Sequence, residues 1–188
     1  MGKILPAVVL GLSLTLTQGA ASGAFAQARP AMTASAADIA PCIWRGLPAG
    51  DSRAILGAAT MEDTVAGIQA AAGTMGNDRF WALLTGCGVT EQTSGKAGEL
   101  FGGYVGRLWS EGKLSARWSA TTLDRAYGQL KPAEIGSIVN DDAGSVAATQ
   151  RFFGLIGAGQ PDNDTTRLLL AYLISRGGYD RDVAAFGR

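Results

Sequence analysis

Two cysteines are the side chains of this sequence best suited to covalent chemistry. Cys42 and Cys87 are far apart in the chain, so they do not form the Cys-x-x-Cys pair of a thioredoxin-type redox site. In an oxidising compartment an even pair of cysteines forms a disulfide by default. A free reactive thiol is the rival interpretation. It is disfavoured because a thiolate nucleophile uses a histidine partner and the sequence contains no histidine. The sequence therefore predicts a structural Cys42–Cys87 disulfide.

The lack of histidine in the sequence also removes several classes of catalytic site. Ser-His-Asp and Cys-His catalysis are excluded, and zinc sites lose their histidine ligands. Carboxylates remain, and Glu99 lies in the apolar middle of the chain between Glu91 and Glu111. A polysaccharide-cleaving enzyme needs a glutamic acid of raised pKa in an apolar cleft. Because Glu99 is predicted on the polar side of its helix, we expect a solvated carboxylate and assign no catalytic residue.

The acidic clusters do not form a metal site by their spacing. Asp162 and Asp164 have the interval of the first two acids of a calcium loop. However, Arg167 stands where that loop needs a glycine, and Leu173 where it needs a closing glutamate. A phosphate-binding loop is excluded because Thr90 occupies the place of its first glycine. The sequence therefore predicts no cofactor and no metal, and the acids are interpreted as helix caps.

Other helix ends are predicted from local residues. Thr60 with Asp63 and Thr121 with Asp124 have the spacing of helix starts. Gly177-Gly178 is predicted to end the last long helix.

The tryptophans are candidates for a binding surface. Trp81 and Trp109 lie on apolar helical faces and are predicted to be core residues. Trp118 follows Arg117 in a polar stretch and is expected to be the most exposed of the four. Trp118, together with Glu99, is therefore the candidate contact for a ligand or partner.

The N-terminus has the pattern of an export signal. Lys3 precedes an apolar run over residues 4–17, which is shorter than the about 20 residues that a membrane-spanning helix needs. Small residues follow and end in cleavage sites after Ala26 or Ala28. No later segment is long and apolar enough to serve as a transmembrane anchor after processing. The predicted organisation is a signal peptide over 1–26, a flexible mature N-terminus over 27–37 and a helical domain over 38–188.

The charge balance excludes some partners. The chain has 16 basic and 16 acidic residues, and loss of Lys3 with the signal peptide leaves a slightly acidic mature protein. Neither sign of charge forms a long block, so the basic face of a nucleic-acid-binding protein is not expected. The partner is predicted to be an unknown protein or a small ligand.

Helical spacing of the apolar residues continues through the mature chain. It predicts an all-α, single-domain bundle of roughly six to eight short helices with one disulfide. The most periodic segment, residues 94–111, carries Gly98, Gly102 and Gly106 at intervals of four. Interior glycines weaken a helix, so we expect a second helix backbone to cross over this stripe. A groove in which a ligand approaches the backbone is the alternative.

Three short stretches are similar to uncharacterised small exported helical proteins of Gram-negative bacteria: Cys42-Ile43-Trp44-Arg45, Cys87 at the end of a helix, and Glu99-Leu100-Phe101. The resemblance covers about a third of the mature chain and implies no activity. The leading hypothesis is an exported, periplasmic or secreted, non-enzymatic binding or interaction protein. One alternative is a carboxylate-dependent enzyme that cleaves cell-wall polysaccharide. Another is a periplasmic stress or client-binding protein, which predicts an exposed apolar patch of several hundred Å².

Overall fold

The computed structural model of the protein describes residues 35–186. The predicted signal peptide, both of its cleavage sites and residues 27–34 of the mature N-terminus lie outside the described residues. Within 35–186 the structure has nine α-helices, one 3-10 turn (Glu91–Thr93) and no strand. The helices are α1 (Ala36–Gly46), α2 (Ala49–Gly57), α3 (Met61–Met75), α4 (Asn77–Gly86), α5 (Ser94–Leu114), α6 (Ala120–Tyr127), α7 (Pro132–Asn140), α8 (Ser145–Leu155) and α9 (Asn163–Ala185).

The predicted all-α, single-domain fold is confirmed, but the division into helices differs from the prediction. The described part has one helix more than the highest number expected, and α5 and α9 are long, with 21 and 23 residues. Gly177 and Gly178 were expected to end the last long helix, whereas α9 continues through both. Gly177 serves close packing instead, because a Cβ at this position would lie 2.6 Å from Val139 Cγ2 of α7. At the N-terminal end of the helical domain, α1 begins at Ala36, two residues before the predicted start of the domain.

Helices α5 and α9 form an antiparallel pair that runs through the centre of the molecule. Near one end Lys96 Nζ of α5 lies 3.5 Å from Ala185 O of α9. Near the other, Arg117 Nη1 lies 3.3 Å from Asp162 Oδ2, just beyond the C-terminus of α5 and at the N-cap of α9. The other helices pack around this pair.

The close approach of α5 and α9 depends on glycines, but not on the whole predicted stripe. A Cβ at Gly103 would lie 3.2 Å from Ser175 O and 3.2 Å from Tyr179 N, and a Cβ at Gly106 would lie 2.5 Å from Ser175 Oγ. Nothing lies within 4 Å of a Cβ at Gly98 or Gly102. The prediction of a crossing helix is therefore right for Gly106 and wrong for the other two. The contact with α9 is made by Gly103 and Gly106, three residues apart, and not by the glycines at intervals of four.

The apolar core has two clusters, which α5 and α9 join. The first is built from α1 to α4, the N-terminal part of α5 and Tyr179 of α9. The second is built from α6 to α9 and Leu114 at the end of α5. Two indoles fix the ends of loops: Trp109 Nε1 donates to Ala58 O, and Trp118 Nε1 donates to Ile156 O, each at 2.9 Å. Tyr179 donates its hydroxyl to Ala37 O at 2.8 Å and so connects α9 to α1.

The predicted disulfide is confirmed. Cys42 of α1 is bonded to Cys87 at the C-terminal end of α4, with the two Cα atoms 5.7 Å apart, inside the range that a disulfide can bridge. Cys87 is 2 % exposed, so this half of the bond lies in the first core cluster. The described residues contain no free cysteine.

Two helix starts follow the expected capping chemistry. Thr60 and Asp63 form a reciprocal capping box at the start of α3. Asp162 caps α9 by accepting from Thr165 N at 2.7 Å, and this backbone hydrogen bond, with a contribution from Arg117, holds the pKa of Asp162 below its usual range. Within residues 35–186 no helix combines the length and hydropathy that a membrane span requires.

Candidate functional site

A polar network lies between α5, α6 and α9, and Asp124 is its centre. Arg107 of α5 donates from Nη2 to both carboxylate oxygens of Asp124, at 2.8 and 3.1 Å, and from Nε to Glu111 Oε1 at 2.6 Å. Tyr172 of α9 donates its hydroxyl to Asp124 Oδ1 at 3.0 Å. Three helices are therefore connected through one carboxylate. Charge-assisted hydrogen bonds of this kind are the stronger ones in proteins.

The network continues along α9 to Arg176 and Asp180. Arg176 Nη1 lies 3.7 Å from Asp124 Oδ1, and Arg176 Nε lies 3.3 Å from Asp180 Oδ2. The guanidinium also lies over the ring of Tyr127, 5.4 Å from its centroid, a cation–π arrangement. Tyr127 is buried, and its hydroxyl has no hydrogen-bond partner among the described residues.

Burial and neighbouring charge shift the pKa values in this network. Burial acts to lower the pKa of Arg107, but the hydrogen bond to Glu111 and the charges of Glu111 and Asp124 raise it overall. Burial, followed by the charge of Asp124, raises the pKa of Tyr172 well above its usual range. Burial, followed by the charge of Asp180, also raises the pKa of Tyr127. Tyr127 and Tyr172 therefore both stay protonated at neutral pH. The arrangement holds helices together and presents no nucleophile.

A second polar feature is an open cleft at the end of the α5–α9 pair where α5 ends and α9 begins. We call it the Arg117 cleft; Lys113 and Arg117 line it from the α5 side, and Asp162 and Asp164 from the α9 side. Its volume is about 350 Å³, near the lower limit for small-molecule sites. Arg117 also donates from Nη1 to Thr165 Oγ1. The cleft therefore carries charges of both signs, and Arg117 pairs with Asp162 and Thr165 across it.

The two candidate contact residues predicted from the sequence do not come together. Glu99 is exposed on α5, as its position on the polar face predicts, and lines neither polar feature. Trp118 is half-buried and packs against the second core cluster, so it is less exposed than its polar neighbours indicate. The apolar core accepts its ring because Ile156 O provides an acceptor for the indole nitrogen. Of the two predicted core tryptophans, Trp109 is buried and Trp81 is half-buried.

Sequence reasoning missed the residues of the polar network. Asp124 was expected near the start of a helix that begins at Thr121, but Ser119 is the cap, since it accepts from Thr122 N at 3.1 Å. The carboxylate of Asp124 can therefore accept hydrogen bonds from Arg107 of α5 and Tyr172 of α9. The local signal in the sequence was the pair of opposite charges four residues apart in Arg107-Glu111 and in Arg176-Asp180.

Large exposed apolar side chains are few in the described part of the chain. They are Leu56 on α2, Val146 and Leu155 on α8, and Ile174 on α9. The two on α8 are nine positions apart, which places them on opposite sides of the helix. Single exposed apolar residues are normal on protein surfaces, so they give a client-binding role no support.

Among residues 35–186, no cluster of three or more cysteine, aspartate or glutamate side chains is arranged to hold a metal ion. The carboxylates of the polar network, Glu111, Asp124 and Asp180, are paired with the guanidinium groups of Arg107 and Arg176. No protein-family model, curated protein or solved structure matches this chain.

Proposed function

We propose that the protein is exported and acts outside the cytoplasm as a non-enzymatic binding or interaction protein. The export signal in the sequence and the Cys42–Cys87 disulfide support the compartment, since structural disulfides persist where the environment is oxidising. The observation that carries the binding role is the Arg117 cleft, with its basic α5 side and acidic α9 side. The ligand we propose is a peptide segment or small molecule that carries both charges.

The alternative function is a cell-wall polysaccharide-cleaving enzyme. Its candidate residue, Glu99, lacks the surroundings that such an enzyme requires. Such an enzyme places an acid of raised pKa in an apolar cleft, with a second carboxylate beside it or across from it. Glu99 is exposed, and the Arg117 cleft does not include it. A binding role needs no such carboxylate pair, so it is the function that the geometry supports better.

Photo-crosslinking at single positions tests the proposal. A photoreactive side chain introduced at position 113, on the α5 side of the cleft, is expected to give a discrete adduct in cells, because bound material lies within its reach. The matched control is the same side chain at position 99, which is exposed on the same helix and outside the cleft. We expect no adduct there. Trp118→Ala is a poor probe, because this substitution also removes a contact of the second core cluster.

The purified wild-type protein is also incubated with purified cell-wall polysaccharide, and the release of soluble fragments is measured. We expect no release from the wild type. Release that Glu99→Gln abolishes would replace the proposal by the enzymatic alternative. Equal crosslinking from positions 113 and 99 would remove the cleft as the binding surface.

A further inference from the structure

Arg117 is held in its cleft by one corner of the guanidinium group. Nη1 donates to Thr165 Oγ1 and lies 3.3 Å from Asp162 Oδ2. Thr165 is 5 % exposed, so its hydroxyl is part of the packed body of α9 and fixes the position of Nη1. A group that is fixed before a ligand binds loses less conformational freedom on binding.

The other two nitrogens of Arg117 are not used in this way. Among the described residues, no atom accepts a hydrogen bond from Nε or Nη2 of Arg117. Arg107 differs, because it uses Nε for Glu111 and Nη2 for Asp124. The Nε–H and Nη2–H groups of an arginine form a planar fork that matches the two oxygens of one carboxylate. Arg117 lines the cleft with this fork unoccupied by the protein's own acids.

The charges around Arg117 favour a carboxylate over a phosphate group. Lys113 adds a second cation, with Nζ 5.8 Å from the centroid of the Trp109 ring. Asp162 and Asp164 line the opposite side of the cleft. A phosphate group carries a charge near −2 at neutral pH, so these two aspartates repel it more strongly than they repel a single carboxylate.

The acidic side of the cleft has one carboxylate that is weakly engaged. Asp162 accepts from Thr165 N at 2.7 Å and pairs with Arg117. Asp164 lies 3.6 Å from Arg167, and both side chains are exposed, a kind of pair that contributes little. Asp164 is therefore the acid that can pair with a cationic group of a ligand. Between the two charged sides, Leu114 and Leu168 give the lining an apolar part.

We propose that the ligand of the cleft is a peptide segment with a carboxylate, and that Nε and Nη2 of Arg117 bind this carboxylate. The inference rests on the proposed binding role of the cleft and assigns the chemistry of its ligand. The carboxylate belongs to the C-terminus of the peptide or to an acidic side chain. A neighbouring apolar residue packs on Leu114 and Leu168, and a basic group faces Asp164. A peptide fits an open cleft better than a small molecule does, because small-molecule sites bury most of their ligand.

Three synthetic peptides, titrated into the complete mature protein, test the proposal. The first is acetyl-Gln-Leu-Lys with a free C-terminal carboxylate, the second is acetyl-Glu-Leu-Lys amide, and the third, acetyl-Gln-Leu-Lys amide, has no carboxylate. The readout is the Nε–H signal of Arg117 in NMR spectra of the wild type. We expect the first or the second peptide to shift this signal, which identifies the source of the carboxylate, and the third peptide to leave it unchanged.

Arg117→Lys keeps the positive charge but removes the fork. The affinity for the carboxylate peptide, followed through the Leu168 methyl signals, should fall about tenfold, since two charge-assisted hydrogen bonds are lost. Arg167→Lys is the matched control. Arg167 is exposed beside Asp164 but is not part of the cleft lining, so the affinity should stay at the wild-type value.

The proposal is overturned if none of the peptides shifts the Arg117 Nε–H signal, or if the third peptide shifts it as much as the other two. An affinity that is unchanged in Arg117→Lys would also overturn it. In each of these cases a discrete photo-crosslinked adduct at position 113 would show that the cleft binds a ligand of different chemistry. Absence of that adduct would instead remove the proposed binding role itself.

Discussion

Reduction of the Cys42–Cys87 disulfide is expected to lower the free energy of unfolding by about 4 kcal/mol. The bond closes a loop with a sequence separation of 45, and in the chain-entropy model a loop of this size stabilises by about that amount. The loss should be concentrated in α1 to α4, because the bond connects α1 to the end of α4. Denaturant unfolding with and without reductant measures the effect.

The double variant Cys42→Ala/Cys87→Ala is the matched control for reduction. Its denaturant midpoint should be slightly lower than that of the reduced wild type, because a space is left at the buried Cys87. This midpoint should not respond to reductant. A wild-type midpoint that is the same with and without reductant would show that the bond does not contribute to stability.

Alanine substitution of the glycines on α5 is expected to have opposite effects at the two positions that contact α9 and at two positions that do not. Gly103→Ala/Gly106→Ala places Cβ atoms 3.2 Å from Ser175 O and 2.5 Å from Ser175 Oγ. Relieving these contacts by separating α5 from α9 should cost about 1–3 kcal/mol per site. This exceeds the gain in helix propensity of up to about 1 kcal/mol per site, so we expect a net loss of about 2 kcal/mol. The pair of helices joins both core clusters, so the loss should appear in global thermal unfolding.

The control is Gly98→Ala/Gly102→Ala on the same helix, where nothing lies within 4 Å of the added Cβ atoms. Alanine is the better helix former, so this variant should gain up to about 1 kcal/mol per site. If both double variants shift the unfolding temperature in the same direction, the glycines do not mark the α5–α9 contact.

Local patterns in the sequence predicted the features that depend on local chemistry. The helical spacing, the capping box of Thr60 and Asp63 and the cap at Asp162 are set by neighbouring residues. The disulfide followed from composition, because only one pairing of two cysteines within the chain exists. Trp109 was assigned to the core correctly because it lies on the apolar face of a long helix.

Features that depend on distant parts of the chain were not predictable in the same way. The glycine interval on α5 could not reveal where α9 crosses, so Gly103 was not assigned to the contact, and Gly98 and Gly102 were assigned a contact that they do not make. The pairing of Asp124 with Arg107 and Tyr172 spans 17 and 48 positions. Nothing near Asp124 in the sequence indicates partners that far away.

The intact mass of the protein recovered from cells tests both export and formation of the disulfide. Free thiols are blocked during lysis, and the extracytoplasmic and cytoplasmic fractions are measured without reductant. We expect a chain in the extracytoplasmic fraction that begins at Gln27 or Arg29 and carries no blocked cysteine. A cytoplasmic chain that retains the sequence from Met1, with Cys42 and Cys87 both blocked, would contradict this expectation.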